Sequence, residues 1–198
     1  MTRLVLASGS PVRARLLEAA GIQFEISPAR VDEDAAKAAL LEEGASARDI
    51  ADALAQMKAL RRSISDPDAL VLGADQILEF QGECVSKSTT MAEAEILLRR
   101  LRGNEHKLVC ATVLARGGEM LWRHLETATL RMRDFSDAFL RRYLDAEGKN
   151  ILGSVGCYHF EGRGAQLFAR IEGDYFSILG LPLIPVLGAL RDFGVLEP

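Results

Sequence analysis

Leu4-Val5-Leu6-Ala7-Ser8-Gly9-Ser10-Pro11-Val12-Arg13 is the stretch that decides the reading of this 198-residue chain. Its first four residues are apolar and have the length of a buried strand. Ser10 then offers a hydroxyl to cap a helix. Pro11 suits the first helical position, where its missing N–H costs nothing. Leu16, Leu17 and Ala20 make one apolar face, and Gly21 ends the helix. Strand, Ser/Gly turn and helix follow in that order. Such a unit leaves backbone N–H groups and the positive end of a helix dipole at the C-terminal end of a strand.

The rest of the chain is read outward from there. Residues 22–33 read as a second short strand ending in Val31-Asp32-Glu33-Asp34, followed by a polar, mobile-looking stretch from about 35 to 45. Ser46 begins a strong helix, with Asp49 in a capping-box relation. Ala51, Leu54, Ala55 and Lys58 fall at i, i+3, i+4 and i+7, so a lysine shares the apolar stripe. Ala69-Leu70-Val71-Leu72-Gly73 is a buried strand, with Ala74-Asp75-Gln76 directly after it. Thr90 and Glu93 form another capping box, opening a helix that Gly103 stops. The segments 108–115 and 120–123 flank Arg116-Gly117-Gly118-Glu119 as a β-hairpin. Residues 126–133 alternate as a half-buried strand. Ser136 caps a helix, 166–171 is a strand, and Pro182 opens a last helix ending before Gly194. Strands and helices interleave, with hairpins in the middle. The expected fold is α/β, a mixed β-sheet with flanking helices and a cleft, in a single domain over 1–198.

Composition narrows the function classes. At 48% apolar and 26% charged, the chain is an ordinary soluble globular one. Its longest apolar stretches fall short of the roughly 18–20 residues a membrane span needs. No basic start followed by an apolar core and a cleavage site is present, so no signal peptide is expected. Three widely spaced cysteines argue against a disulfide framework and a Cys-x-x-Cys zinc site, which makes a reducing cytoplasm the default. A net charge of −4 argues against a grip on long nucleic acid. It leaves room for a small anion held by a few local cations.

Three groups of residues could carry chemistry. Ser8, Gly9, Ser10 and Arg13 surround a helix N-terminus and suit a phosphate. Arg13 opposes the helix dipole, a conflict that a bound anion would remove. The same residues also describe a capped helix with a solvated arginine. Asp75, at the end of a buried strand where α/β folds place ligands, and Glu33 suit Mg²⁺ or Mn²⁺, or a polarised water. A turn aspartate is the structural alternative. Lys58 and Lys87 could reach phosphates, or could be a snorkelling side chain and a loop lysine. His106, His124 and His159 lack zinc spacing, and neither a nucleophile elbow nor a P-loop pattern occurs.

The order of the motifs says more than any one of them. Leu-Ala-Ser-Gly-Ser-Pro-x-Arg at 6–13 is followed by Val-Asp-Glu at 31–33, Leu-Ala-x-x-Lys-Ala at 54–59 and Gly-Ala-Asp-Gln at 73–76. Lys87 precedes a helix ending Leu-Arg-Gly-x-x-His at 101–106. Gly156-x-Tyr158-x-x-Glu161-Gly162 leads to Gly173-Asp174-Tyr175 and Leu179-Gly180-Leu181-Pro182. Nearly end to end, this series resembles the Maf family of nucleoside triphosphate pyrophosphatases.

The resemblance implies a cytoplasmic, divalent-metal-dependent house-cleaning enzyme, usually a homodimer. Such an enzyme cleaves a nucleoside triphosphate to the monophosphate and pyrophosphate. It also implies two lobes around a nucleotide cleft, in a fold related to that of inosine triphosphate pyrophosphatases. Carried over, it makes Asp75 the proton acceptor. It clusters Ser8, Ser10, Arg13, Glu33, Lys58 and Lys87 around phosphate and metal, with Glu33 and Asp75 on Mg²⁺ or Mn²⁺.

Departures from the family pattern bear on the base. Members preferring dTTP and UTP often carry two arginines after the proline, a threonine after the aspartate and a glutamine before the late glycine. Here Val12, Gln76 and Glu161 stand in those places. Gln76 and Glu161 look like the branch acting on 7-methylguanosine triphosphate, whereas Val12 replaces the aromatic residue often found there. Ser88 stands where a proline commonly follows the lysine. An ionised Glu161 is a pure acceptor, suited to the N1–H and 2-amino group of a guanine-type base. Two alternatives stand beside this reading. One is a nucleotide-binding regulator of cell division without essential turnover, and the other is a pyrophosphatase preferring dTTP or UTP.

Overall fold

The computed structural model describes residues 2–197. The chain divides into two compact units. One comprises Met1–Gln76, Val109–Glu126 and Asp174–Pro198, the other Ile77–Leu108 and Thr127–Gly173. The strands are β1 (Leu4–Leu6), β2 (Glu25–Ile26), β3 (Leu70–Phe80), β4 (Glu83–Val85), β5 (Glu105–Arg116), β6 (Glu119–Met132) and β7 (Phe168–Glu172). They form one sheet in the order β2-β1-β3-β5-β6-β7, with β4 paired to β3. The helices are α1 (Pro11–Ala19), α2 (Glu33–Glu42), α3 (Ala47–Ser65), α4 (Met91–Leu101), α5 (Asp137–Glu147), α6 (Tyr175–Ile178) and α7 (Leu183–Asp192). The fold is α/β with a mixed sheet. Among the described residues, no helix is long and apolar enough to cross a membrane.

In the first unit, β1 runs parallel to both neighbours, with Val5 opposite Glu25 and Leu4 opposite Leu70. Strand alternation gives each face its own core. Leu4, Leu6, Leu70, Leu72 and Ala74 pack with Leu17 of α1 and Val186 and Leu190 of α7. Val5, Ala7, Ala69 and Val71 form a separate cluster. The long helix α3 carries the expected capping box between Ser46 and Asp49, and Ala51, Leu54, Ala55 and Lys58 are all buried. It lies very close to β3 at Gly73. A methyl group there would sit 2.5 Å from the Ala55 carbonyl oxygen and 2.8 Å from the Ala59 nitrogen. The turn Gly117-Gly118 closes the β5–β6 hairpin with both residues at positive φ, 57° and 85°, the conformation that matches strand twist.

In the second unit, β3 continues into an antiparallel pairing with β4, Leu78 opposite Val85. Likewise, β6 pairs antiparallel with β7, Leu130 opposite Ile171. Thr90 caps α4 through the Glu93 amide, while the Glu93 carboxylate accepts from the amide and hydroxyl of Thr89. Ser136 caps α5, whose Leu140, Tyr143 and Leu144 are buried.

Several local expectations are corrected. Only Glu25–Ile26 of the stretch 22–33 is strand. The polar stretch after it is α2, capped by Asp32, whose carboxylate accepts from the Ala35 amide at 3.0 Å. No residue of α2 is buried, so it has no apolar stripe to announce it. Its alanines and its acidic first turn supply the helix preference instead. Glu33 is therefore a first-turn helical residue, not the end of a strand. Asp75 and Gln76 do not follow a strand but lie inside β3, which runs on to Phe80. The segments 120–123 and 126–132 belong to one continuous strand, β6, and Arg133 lies beyond its end. Residues 163–167 form a 3-10 helix, with strand from Phe168 onward.

Candidate active site

Lys58 is the centre of the first unit's polar cluster. Its Nζ donates to Asp75 Oδ1 and pairs with Glu33 Oε2, both at 2.7 Å. The Lys58 and Asp75 side chains are 8% and 10% exposed, whereas Glu33 is 49% exposed. The local causes are plain. The capping box starts α3 in the register that aims Lys58 at the sheet, Gly73 lets the helix approach, and Asp32 starts α2 at Glu33. Two carboxylates share one ammonium, and the more exposed of them, Glu33, faces water.

Arg13 forms the second cluster and is buried. Its Nε donates to Gly180 O at 2.7 Å, and its Nη1 donates to Ala74 O at 2.9 Å and to Ser8 Oγ at 3.0 Å. Ser8 Oγ also accepts from the Ser10 amide at 3.2 Å, and Ser10 Oγ caps α1 through the Arg13 amide at 3.4 Å. The guanidinium thus donates to two carbonyl oxygens and a hydroxyl, whose partial negative charges offset the dipole conflict read from the sequence. Arg13 is neither a solvated surface residue nor wholly committed to these contacts, since Nη2 makes none of the three bonds.

β3 separates the neighbouring site residues. Gly73 and Asp75 face α3, while Ala74 and Gln76 point the other way, as the period of two requires. Gln76 Nε2 donates to the carbonyls of Ser177 at 2.9 Å and Ile178 at 3.1 Å. Ser177 is a buried residue that sequence reasoning missed. Its amide donates to Asp174 Oδ2 at 2.6 Å, and its hydroxyl lies 2.9 Å from that oxygen and 3.1 Å from Glu126 Oε2. The spacing Asp174-x-x-Ser177 is a capping signal that could have found it. His124, stacked on Trp122, reaches Glu126 Oε2 at 3.3 Å.

Cys110 is fully buried near these charges. Burial pushes its thiol up to about 12, with Asp75, Glu126 and Asp174 adding to the rise and Arg13 opposing it. It is protonated at neutral pH and is no nucleophile. Among the described residues, no group of three or more His, Cys, Asp or Glu side chains could by itself hold a metal ion.

The structure brings Ser8, Ser10, Arg13, Glu33, Lys58, Asp75 and Gln76 into the first unit, with Val12 half-buried in the first turn of α1. Lys87 and Glu161 belong to the second unit. Lys87 is exposed between β4 and α4, and Glu161 is exposed in the turn at 160–162. The segment leading to Glu161 is held by a 2.7 Å bond between Tyr158 OH and the buried His106 Nε2, where burial lowers the imidazole to about 4.

Comparison with known proteins follows this geometry. A curated relative from Granulibacter bethesdensis, named nucleoside triphosphate pyrophosphatase, is 53% identical over 96% of both chains. One of the same name from Caulobacter vibrioides is 51% identical over 99% of this chain and 98% of its own. A relative from Brucella abortus, named 7-methyl-GTP pyrophosphatase, is 47% identical over 96% of this chain and 95% of its own. A HAM1 protein from Coxiella burnetii, among solved structures, is 15% identical over 68% of this chain and 75% of that one, at a TM-score of 0.42, too loose a likeness to build on. The family model described as Maf-like protein matches residues 3–193, and the chain belongs to that family.

Proposed function

We propose that this protein is a nucleoside triphosphate pyrophosphatase that requires a divalent metal and prefers a guanine-type base. The observation that carries the reading is the convergence of Asp75 and Glu33 on the Lys58 ammonium, with Arg13 bonded to the adjacent Ala74 carbonyl. A triphosphate carries about four negative charges near neutral pH, and Arg13 and Lys58 would offset most of them together with a divalent ion. The relatives' names support the reaction class.

The donor set fits such an ion. Glu33 and Asp75 are hard oxygen donors already meeting at one positive centre, and Mg²⁺ is ordinarily held by one or two carboxylates plus water and phosphate oxygens. When bound, the ion supplies charge neutralisation at the phosphates and a more acidic water. The chain's own residues do the rest. Lys58 and Arg13 hold phosphate oxygens, and Ser8 and Ser10 shape the loop below them. Asp75 takes the proton of the attacking water on Oδ2, the oxygen not bonded to Lys58. The water oxygen adds to phosphorus at the α–β anhydride, the bridging P–O bond breaks, and pyrophosphate leaves. No covalent intermediate is needed, in keeping with a protonated Cys110.

Glu161 supplies the acceptor for the base, and the name of the relative from Brucella abortus, 7-methyl-GTP pyrophosphatase, supports a guanine-type base. The test is pyrophosphate release from GTP, 7-methyl-GTP, dTTP and UTP at equal concentration with Mg²⁺ or Mn²⁺. The guanine-type substrates are expected to give the highest kcat/KM. Glu161→Gln, which removes one acceptor oxygen, should lower kcat/KM for them by about tenfold and leave dTTP unchanged. Best turnover on dTTP by the native protein would refute the base preference while leaving the reaction class intact.

A further inference from the structure

We infer that Glu147, the last residue of α5, is a positioning residue that fixes the turn carrying Glu161, and with it the acceptor offered to the base. The inference rests on the functional reading above, in which Glu161 meets a guanine-type base. All the residues involved belong to the second unit. The Gly162 amide donates to the His159 carbonyl at 3.1 Å, which makes Phe160 and Glu161 the central pair of a tight turn. The chain then folds back closely, so that a methyl on Gly164 would lie 2.4 Å from the His159 carbonyl oxygen. His159 and Arg163 therefore stand at the two ends of one small loop, with Glu161 between them.

Glu147 reaches both ends. Its Oε2 lies 3.8 Å from His159 Nδ1 and its Oε1 lies 3.7 Å from Arg163 Nη1. These separations exceed hydrogen-bond length, so the hold is one of charge. The Glu147 side chain is only 12% exposed, which weakens the solvent screening that makes most surface pairs worth little. A carboxylate at a helix C-terminus also opposes the dipole, so Glu147 costs α5 stability unless cations offset it. One helical turn earlier, Tyr143 donates its hydroxyl to the Cys157 carbonyl at 3.2 Å. Cys157 has φ +55°, a conformation that a residue with a side chain keeps only when its surroundings hold it there. Tyr158, next in the chain, is bonded to His106. Tyr143 and His106 thus fix where the segment begins, and Glu147 fixes how the turn beyond it is tipped.

The test measures kcat and KM of the full-length protein for GTP, 7-methyl-GTP and dTTP. Glu147→Gln keeps the shape of the side chain and loses its charge. Arg163→Met removes one partner at a position 65% exposed, where the fold tolerates it, and Arg163→Lys keeps the charge. Positioning predicts that KM for both guanine-type triphosphates rises by about fivefold in Glu147→Gln and in Arg163→Met, with kcat little changed. The dTTP constants should stay native, and Arg163→Lys should recover most of the loss. Glu147→Gln should add nothing when combined with Glu161→Gln, because both act through one carboxylate. An equal KM rise for dTTP, additive effects in the double variant, or native KM values in both Glu147→Gln and Arg163→Met overturn the inference. If Glu147→Gln fails to fold, the two Arg163 variants carry the same comparison. Native KM values for the guanine-type substrates in Glu161→Gln are a different result, since they remove the base-acceptor reading itself and the inference with it.

Discussion

Asp75→Asn is expected to abolish useful pyrophosphate release, with turnover down by about 10³-fold, the scale of losing a positioned general base. The fold should survive. Asparagine keeps the shape of the side chain and an oxygen for the 2.7 Å bond from Lys58. It loses the negative charge, and with it the ability to take a proton from water and much of its strength as a metal ligand. Glu33 still pairs with the ammonium, so the lysine is not stranded. Thermal melting should therefore shift by no more than about 3 °C while activity disappears. Near-native turnover in a folded Asp75→Asn protein would end the assignment of Asp75 as proton acceptor.

Lys58→Met is expected to damage stability and activity together. Methionine fills much of the same volume, so the loss is chiefly one of charge. Asp75, 90% covered at its side chain, is left against an apolar helix face, whereas the half-exposed Glu33 can relax into water. Removing one partner of a buried pair costs roughly 3 kcal/mol or more. For a chain of this size that is a fall of about 6–12 °C in melting temperature. Turnover should drop by at least about 10²-fold, because the ammonium that would meet a phosphate oxygen is gone. The same variant tests the metal assignment without an activity assay. With the ammonium removed, Mn²⁺ can take the point between the two carboxylates, so it should restore part of the lost melting temperature and do less for the native protein. A Lys58→Met protein whose melting ignores Mn²⁺ would count against Glu33 and Asp75 as metal ligands.

Legibility in the sequence followed local chemistry. The Ser10-Pro11 helix start, the Ser46–Asp49 capping box and the hairpin at Gly117-Gly118 were readable because each depends on a few adjacent residues. Lys58 stood out as a lysine on an apolar stripe, but the stripe alone did not separate a snorkelling side chain from one with a buried partner, which it has in Asp75. Helix α2 escaped notice because it buries nothing, so periodicity was silent and alanine content alone would have had to speak. The continuation of β3 through Asp75 was hidden by the charge itself. A strand prediction stops at an aspartate unless the lysine that neutralises it, 17 positions earlier, is already in view. The contacts of the segment from Asp174 to Gly180 were unreadable for a related reason. Its partners Glu126, Gln76 and Arg13 are remote in sequence, and three of the contacts use backbone carbonyls that no side-chain pattern reveals.

Gly73 has a consequence for anyone redesigning the substrate range. The space a methyl would need there is already filled by the backbone of α3. Any larger residue must push the helix outward, and Lys58 rides on that helix. Such a shift would draw the ammonium away from Asp75 before any residue of the chemistry had been altered. Inactive members of a randomised library would then carry a changed hinge of closeness between helix and strand, not a changed reaction centre. Diversity is better spent at positions 12 and 161, with residue 73 held fixed.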